Sequence, residues 1–413
     1  MPSRRPHRGR GFTLLELVVS LLILAAVIVA ALALFDSTYR VTHTELDRVD
    51  LQQSLRIAQR EMSRMVRLAG RGGLPAAVGA SRLPAGLALR VDNDVRGFDV
   101  LGDGTSPPVV DGTDVLTVRG VFQAPVYLVD AADPSTFRFD AETGRGSVIV
   151  RGVTPIGGVD QDLDALEDVL GDNRPEALVL VSPFDDEVFG VAEIDHGASA
   201  GGDGEVRLGF RVSGGVHAET YAALSSPDAF AALARSRAGS VGVLEEYRFY
   251  VRRDEVPVPR PADPFAGEVR RLSRARTYPG VDAAYGNDRS NLSLDVADHV
   301  LDFQVALAFD ADGDGEIAET PDGAGDEWFG NAAGDDADAE PWKDLLAGPA
   351  PLLRFVRLTV LARSAGGDSR HMAREIERLE DREYGENDPL NDPRGARRFP
   401  RIVLRTVVEV RNL

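Results

Sequence analysis

Cysteine is missing from all 413 residues, lysine occurs once, at Lys343, and proline is absent between Phe12 and Leu74. Each absence excludes something. Without cysteine no disulfide can staple the fold, although small exported domains often depend on them. A buried core must do this instead, and roughly 300 or more residues beyond a first helix are enough to build one. Without proline nothing forces a break in a helix over residues 12–74. The scarcity of lysine beside plentiful arginine reads as genome composition.

Catalytic patterns are also missing. His7, His43, His196, His217, His299 and His371 stand in no His-Glu-x-x-His setting, and no Gly-x-x-x-x-Gly-Lys loop occurs. The run Gly-Gly-Asp-Ser-Arg at 366–370 has small residues around Ser369 but no following glycine and no assignable histidine partner. No nucleophile elbow is expected, and the sequence predicts a non-enzymatic protein. Acidic residues outnumber basic ones, 66 to 46, for a net charge of −20. Nucleic-acid backbone is gripped by clustered cations on one face, so no nucleic-acid partner is expected.

What is present begins with "GRGFTLLELVVSLLILAAVIVAALALF", residues 9–35, preceded by Arg4, Arg5 and Arg8. From Phe12 to Phe35 the only polar side chains are Thr13, Glu16 and Ser20. About 20 apolar residues cross a bilayer, so residues 17–35 suffice for a membrane helix with the arginines on the cytoplasmic side. A plain signal anchor has this form. A secretory signal would be cut near Ala30, Ala31 or Ala33, but the apolar run is longer than such signals use. Arg4 and Arg5 resemble a twin-arginine signal only weakly. None of these readings explains Glu16, since an acidic residue costs about 2.5 to 3.5 kcal/mol at mid-membrane, less near the end, and calls for a named partner. A cut between Gly11 and Phe12 supplies one. The new ammonium on Phe12 lies four residues from Glu16, on the same helical face.

Gly11, Phe12, Thr13, Leu14, Leu15 and Glu16 behind a basic leader resemble the class III signal of type IV pilins and type II secretion pseudopilins. The resemblance implies that a prepilin peptidase cuts after Gly11 and methylates Phe12, and that Glu16, fifth in the mature chain, guides docking of subunits. Loss of residues 1–11 with their four arginines leaves 402 residues and a charge of −24. The implied fold is α+β, a pilin-like lollipop. Residues 12–35 form the membrane and filament-core half of the helix, 36–70 its amphipathic half, and 71–413 a β-rich globular domain, with 121–249 as a candidate insertion.

The residues support that division independently. Leu51, Leu55, Ala58, Met62, Met65 and Ala69 recur at spacings of four and three, one apolar stripe of a helix, and Gly70, Gly72, Gly73 and Pro75 stop it. A helix from Phe12 to Gly70 at about 1.5 Å per residue spans roughly 88 Å. Beyond it, β-branched runs bounded by Gly, Asp or Pro predict strands at 113–120, 124–130, 147–153, 176–182 and 205–212. Period-two alternation at 247–252 and 301–310 predicts half-buried strands, and 354–363 and 401–413 read as further strands. Helices are predicted at 226–238 and, from charge spacing, at 372–384. The acidic segments 159–174 and 323–340 read as exposed loops.

"RLAGRGG", "TDVLTVRG", "YRFYVRRD", "HVLDFQVALAFDADGDGE", "VRLTVLARS" and "RTVVEVRN" follow the order seen in PilW-type minor pilins, although cysteines frequent there are absent. The helix-kinking proline and compact head of major pilins are absent too. The resemblance implies a minor subunit that enters the inner membrane by a single pass, then primes or caps a pilus at the cell surface with other minor and major pilins. A type II secretion pseudopilin and a pilin-anchored adhesin are the alternatives. Finally, Asp310, Asp312, Asp314 and Glu316 in "DADGDGE" have the alternate-residue spacing with which calcium loops wrap a hard cation. The glutamate such loops place twelfth is replaced by Pro321, which leaves Glu319, Asp322 or water to close the site. The competing expectation is an empty acidic hairpin.

Overall fold

The computed structural model describes residues 13–74, 88–102, 104, 108–185, 188–197, 204–226, 228–255, 268–286, 293–310, 312–319, 326–332, 352–367, 371–393 and 395–410. They fall into two compact units, Met1–Asp50 and Leu51–Leu413.

The described part of the first unit is the beginning of helix α1 (Leu14–Arg67). Its large apolar side chains from Leu14 to Phe35 are all exposed, Val18 least at 47 %. An 18-residue window of α1 reaches a mean hydropathy of 3.2. The hydroxyls in this half turn back onto the helix, Ser20 donating to the Leu17 carbonyl at 3.0 Å and Thr38 to that of Leu34 at 2.9 Å. They therefore leave the apolar surface unbroken.

In the second unit, the end of α1 buries the predicted stripe, Leu51, Leu55, Ala58, Met62, Met65 and Ala69, with Val66 added. Each large side chain so buried contributes about 1.5–3 kcal/mol. The helix stops at Gly70, φ 74°, a conformation that glycine adopts at no steric cost. Its N–H donates to the Arg119 carbonyl at 3.0 Å, and the Val121 N–H returns a bond to the Arg71 carbonyl at 2.8 Å.

Strands β1 (Leu89–Val95), β2 (Thr113–Gly120), β3 (Tyr127–Leu128), β4 (Phe137–Asp140), β5 (Arg145–Arg151), β6 (Ala177–Val181), β7 (Phe189–Asp195), β8 (Glu205–Arg211), β9 (Ser240–Glu255), β10 (Glu268–Thr277) and β11 (Ser293–Asp298) form an 11-stranded antiparallel sheet. Its main path is β1-β2-β9-β6-β7-β8-β5-β4; β3 and β10 also pair with β9, and β11 pairs with β10. Short helices α2 (Asp164–Gly171), α3 (Ala218–Ala223) and α4 (Ala229–Ser236) lie between its strands in sequence. Next come β12 (Val300–Asp310), β13 (Trp328–Phe329), β14 (Leu352–Arg363), the hairpin β15 (Arg378–Leu379) with β16 (Arg382–Glu383), and β17 (Arg401–Glu409). A second sheet runs β13-β12-β14-β17. This is an α+β arrangement, a long helix followed by antiparallel sheets. The main core joins the end of α1 to Leu116, Val118, Tyr247 and Phe249 of the first sheet and to Phe303, Val305, Val356 and Val360 of the second. A separate core draws every buried member from residues 127–243.

Several expectations need correction. The alternating strands are not half-buried: residues 247–251 of β9 and every residue of β12 are buried. One face of β12 meets the main core, while the other holds Asp302, Gln304, Ala306 and Ala308 under covering chain. A register shift between Val300 and Asp302 turns Leu301 away from Phe303 and into a small cluster with Leu361, Leu379 and Tyr384. Residues 372–384 are not helical. They form the β15–β16 hairpin, because Leu379 and Tyr384 bury in that cluster and Glu380 ion-pairs with Arg357 at 2.9 Å. The acidic stretch 159–174 contains α2, whose Leu166 is buried, and 323–340 contains β13 with Trp328 and Phe329 buried. The 124–130 run pairs only at Tyr127 and Leu128.

The polar face of β12 also sets a pH dependence. Asp302 is fully buried and accepts from the Phe303 N–H at 2.7 Å, Gln304 Nε2 at 3.0 Å and Arg382 at 3.2 Å. Burial pushes its carboxyl up to about 6 despite Arg382, and burial likewise raises Asp114, which bonds the Val305 N–H at 2.6 Å. A carboxyl raised on folding binds protons more tightly folded than unfolded. Its contribution is complete below the unfolded value near 3.8 and is lost as pH rises through 6. The full chain in detergent should therefore lose about 2 kcal/mol between pH 4.5 and 7.5 from Asp302 alone. In Asp302→Asn that slope should flatten; an unchanged slope would assign it elsewhere.

Candidate functional site: helix start and acidic loop

Gly11 and Phe12, the expected cleavage junction, lie outside the described residues, which begin at Thr13. Thr13 stands immediately before α1 and makes a reciprocal pair with Glu16. Its backbone N–H and its hydroxyl both donate to Glu16 Oε2, at 2.9 and 3.0 Å, and its Oγ1 accepts from the Glu16 N–H at 3.3 Å. This is a capping box. It satisfies two helix-start groups that would otherwise lack partners, and it holds a carboxylate where the helix dipole favours one. The Thr-x-x-Glu spacing of residues 13–16 is the signal in the sequence that marks it. Both bonds to the carboxylate end on Oε2; Oε1 takes no hydrogen bond among the described residues and can accept a cation.

In the acidic loop, Asp310, Asp312 and Asp314 bring carboxylate oxygens within 4.8 Å of one another. Asp310 is buried, with Arg354 donating to its Oδ2 at 3.0 Å and the Gly315 N–H to Oδ1 at 3.4 Å. The Arg354 hydrogen bond chiefly holds this carboxyl below its ordinary range. Asp312 accepts from the Asp314 N–H at 3.0 Å and Asp314 from the Glu316 N–H at 2.7 Å. Glu319 is committed elsewhere, to Arg357 at 2.7 Å, and Asp322 lies outside the described residues. The loop thus brings three carboxylates together, does not bring Glu319 to them, and sets a guanidinium against the first.

The described histidines that pack in the second unit serve the fold. His196 Nδ1 contacts the Leu170 carbonyl at 3.3 Å, and the His217 ring lies 4.9 Å from that of Tyr278. Residues 197–201, Gly-Ala-Ser-Ala-Gly, do have the spacing of a nucleophile elbow. All of them but Gly197 lie outside the described residues, between β7 and β8 in sequence. Ser369 lies outside the described residues.

Residues 6–32 match the family model of the prokaryotic N-terminal methylation motif. No curated protein and no solved structure matches the chain.

Proposed function

From a chain that carries the class III signal of type IV pilin-like proteins, we propose a minor pilin of PilW type, a structural subunit that primes or caps pilus assembly. The carrying observation is the motif at 6–32, whose residues from Leu14 onward lie on a helix with an exposed apolar half and a carboxylate, Glu16, in its first turn. The signal implies a prepilin peptidase and association with other pilins. On this reading the apolar half of α1 anchors the chain in the inner membrane and then trades lipid for neighbouring helices. Glu16, with Oε1 available, compensates the ammonium created on Phe12. Desolvation drives the choice of docking geometry, because a carboxylate left unpaired among helices is expensive. The N-terminus and intact mass of the chain, recovered from cells with and without the peptidase, test the proposal. A peptidase-dependent start at Phe12 is expected; a chain that keeps Met1, or is cut near Ala31, overturns it. Deletion should then abolish pilus function and leave enzyme secretion intact, the reverse of what a pseudopilin would give.

Calcium has a subordinate place in this reading. Three clustered carboxylates attract a hard cation, but Arg354 competes at Asp310 and Glu319 is spent on Arg357. Binding at about the millimolar strength of extracellular modules is expected. Calcium at 5–10 mM should raise the melting temperature of the full chain, and Asp312→Asn with Asp314→Asn should remove the effect. No shift in the parent protein would make the loop a plain acidic turn.

A further inference from the structure

Sheet edges differ sharply in this protein. A strand at an edge offers a row of unpaired N–H and C=O groups, which proteins blunt by keeping the strand short, bulged or interrupted by proline. β3 and β13 have two residues each and β4 has four. β1 has a register shift between Asp92 and Val95, and the pairing that holds β11 shifts between Leu272 and Ser273. β17 has none of these protections. It pairs with β14 through nine consecutive partners, Phe355↔Glu409 to Arg363↔Arg401, without a break and without proline.

The register identifies which groups point outward. Val410 N–H donates to the Arg354 carbonyl at 3.0 Å and Ser364 N–H to the Pro400 carbonyl at 2.8 Å. Bonded pairs alternate along an antiparallel ladder, so the even-numbered residues Ile402, Leu404, Thr406 and Val408 face β14 with their backbone groups. Val403, Arg405 and Val407 turn N–H and C=O to the outer edge, where they pair with nothing among the described residues. Val403 is also 47 % exposed and Val407 50 %, with Arg405 between them.

The geometry points to β17 as a strand-addition site for an extended segment of a different polypeptide, with aliphatic residues beside Val403 and Val407 and an acidic residue toward the Arg401 end. Main-chain bonding selects an extended occupant, and alternate side chains select its sequence. Charge selects its sign. Arg363, Arg397 and Arg401 gather at the start of β17, with Glu375 paired to Arg397 and Asp388 also facing Arg401; Arg401 gives Nη2 to the Leu390 carbonyl, and its Nε and Nη1 are buried without an acceptor among the described residues. A second copy fits poorly, since antiparallel pairing centred on Arg405 sets it against itself and each chain carries −20. This site does not depend on how the N-terminus is processed.

The test places a photo-crosslinking amino acid at Val403 or Val407 of the full chain in its native cells, with the exposed Val216 as control position. The expected result is one adduct, to the same other polypeptide, from both edge positions and not from Val216. The attachment point on the partner should move by about four residues when the probe moves from 403 to 407, as strand pairing requires. Val407→Pro removes an outward N–H and leaves the ladder to β14 its donors; it should cut the Val403 adduct at least tenfold. No adduct, an attachment point that does not move, an adduct indifferent to the proline, or an adduct only to a second copy overturns the site. If Val407→Pro does not fold, amide exchange in the unsubstituted complex decides: Val403, Arg405 and Val407 should exchange at least tenfold more slowly than in the free chain, and equal rates overturn the proposal.

Discussion

Glu16→Ala in the full chain is expected to leave cleavage after Gly11 nearly unchanged and to reduce incorporation into assembled filaments at least tenfold. Two separate contributions are lost. One is the capping box with Thr13, since removing such a cap costs about 0.5–2 kcal/mol. The other, on the proposed reading, is the charge that would offset a Phe12 ammonium once both are withdrawn from water, where an uncompensated buried charge costs about 3–5 kcal/mol. Glu16→Gln separates them, because glutamine can still serve the capping box but carries no charge. If charge governs docking, Gln should behave like Ala and Thr13→Ala should lose less than threefold. If the cap governs it, Gln should assemble normally and Thr13→Ala should fail. Quantitative blots of sheared filaments against total membrane protein give the readout. Normal incorporation of Glu16→Ala would remove Glu16 from assembly.

Glu246→Ala should cost about 3–5 kcal/mol of stability in the full chain, a large share of a typical total. Glu246 is fully buried on β9. It pairs with Arg119 of β2 at 2.5 Å and with Arg248 at 2.7 Å, and accepts from Thr277 Oγ1 at 2.9 Å and the Gly280 N–H at 2.7 Å. Burial alone would raise its carboxyl, but the two guanidiniums outweigh that and hold it at about 2. Removing it leaves Arg119, 2 % exposed, with its Glu246 charge partner gone. Arg248 retains Asp282 at 2.6 Å. The double replacement Arg119→Met with Glu246→Leu should recover most of the loss, since apolar residues of similar volume often replace buried ion pairs at little cost. Denaturant unfolding in detergent measures all three proteins. A single replacement costing under 1 kcal/mol, or a double one as costly as the single, would show that the pair does not govern this junction.

How far the sequence revealed this molecule depends on which residues made the pattern. The stripe from Leu51 to Ala69 was legible because burying one helical face needs only spacing. Thr113–Gly120, Leu352–Arg363 and Ala229–Ser236 were legible, within a residue or a few at their ends, because turn residues or strict periodicity bound them. The second buried face of β12 was not, since Asp302, Gln304 and Asp310 look like solvent-facing residues until Arg382, Gly112 and Arg354 supply partners from distant segments. The same long-range pairing misled the reading of 372–384, where charges spaced as on a helix serve tertiary ion pairs such as Glu380 with Arg357 and Arg405. At the N-terminus, Glu16 stood out by its chemistry alone, whereas its bond to Thr13 required noticing a three-residue spacing. Glu319 shows the converse limit, since a carboxylate near a loop in sequence can belong to an arginine across the sheet.

β9 belongs to more than one core. Val241 and Val243 sit in the core built from residues 127–243, Leu244, Tyr247, Phe249 and Val251 in the main one, and Tyr250 in a third small cluster. The candidate insertion boundary at 249 falls inside this strand. Residues 240–244 of β9 pair with β6 and residues 245–249 with β2, so one uninterrupted strand runs from the one core into the other. The chain between β3 and β9 thus rejoins the main sheet through a strand whose beginning serves one core and whose continuation serves the other.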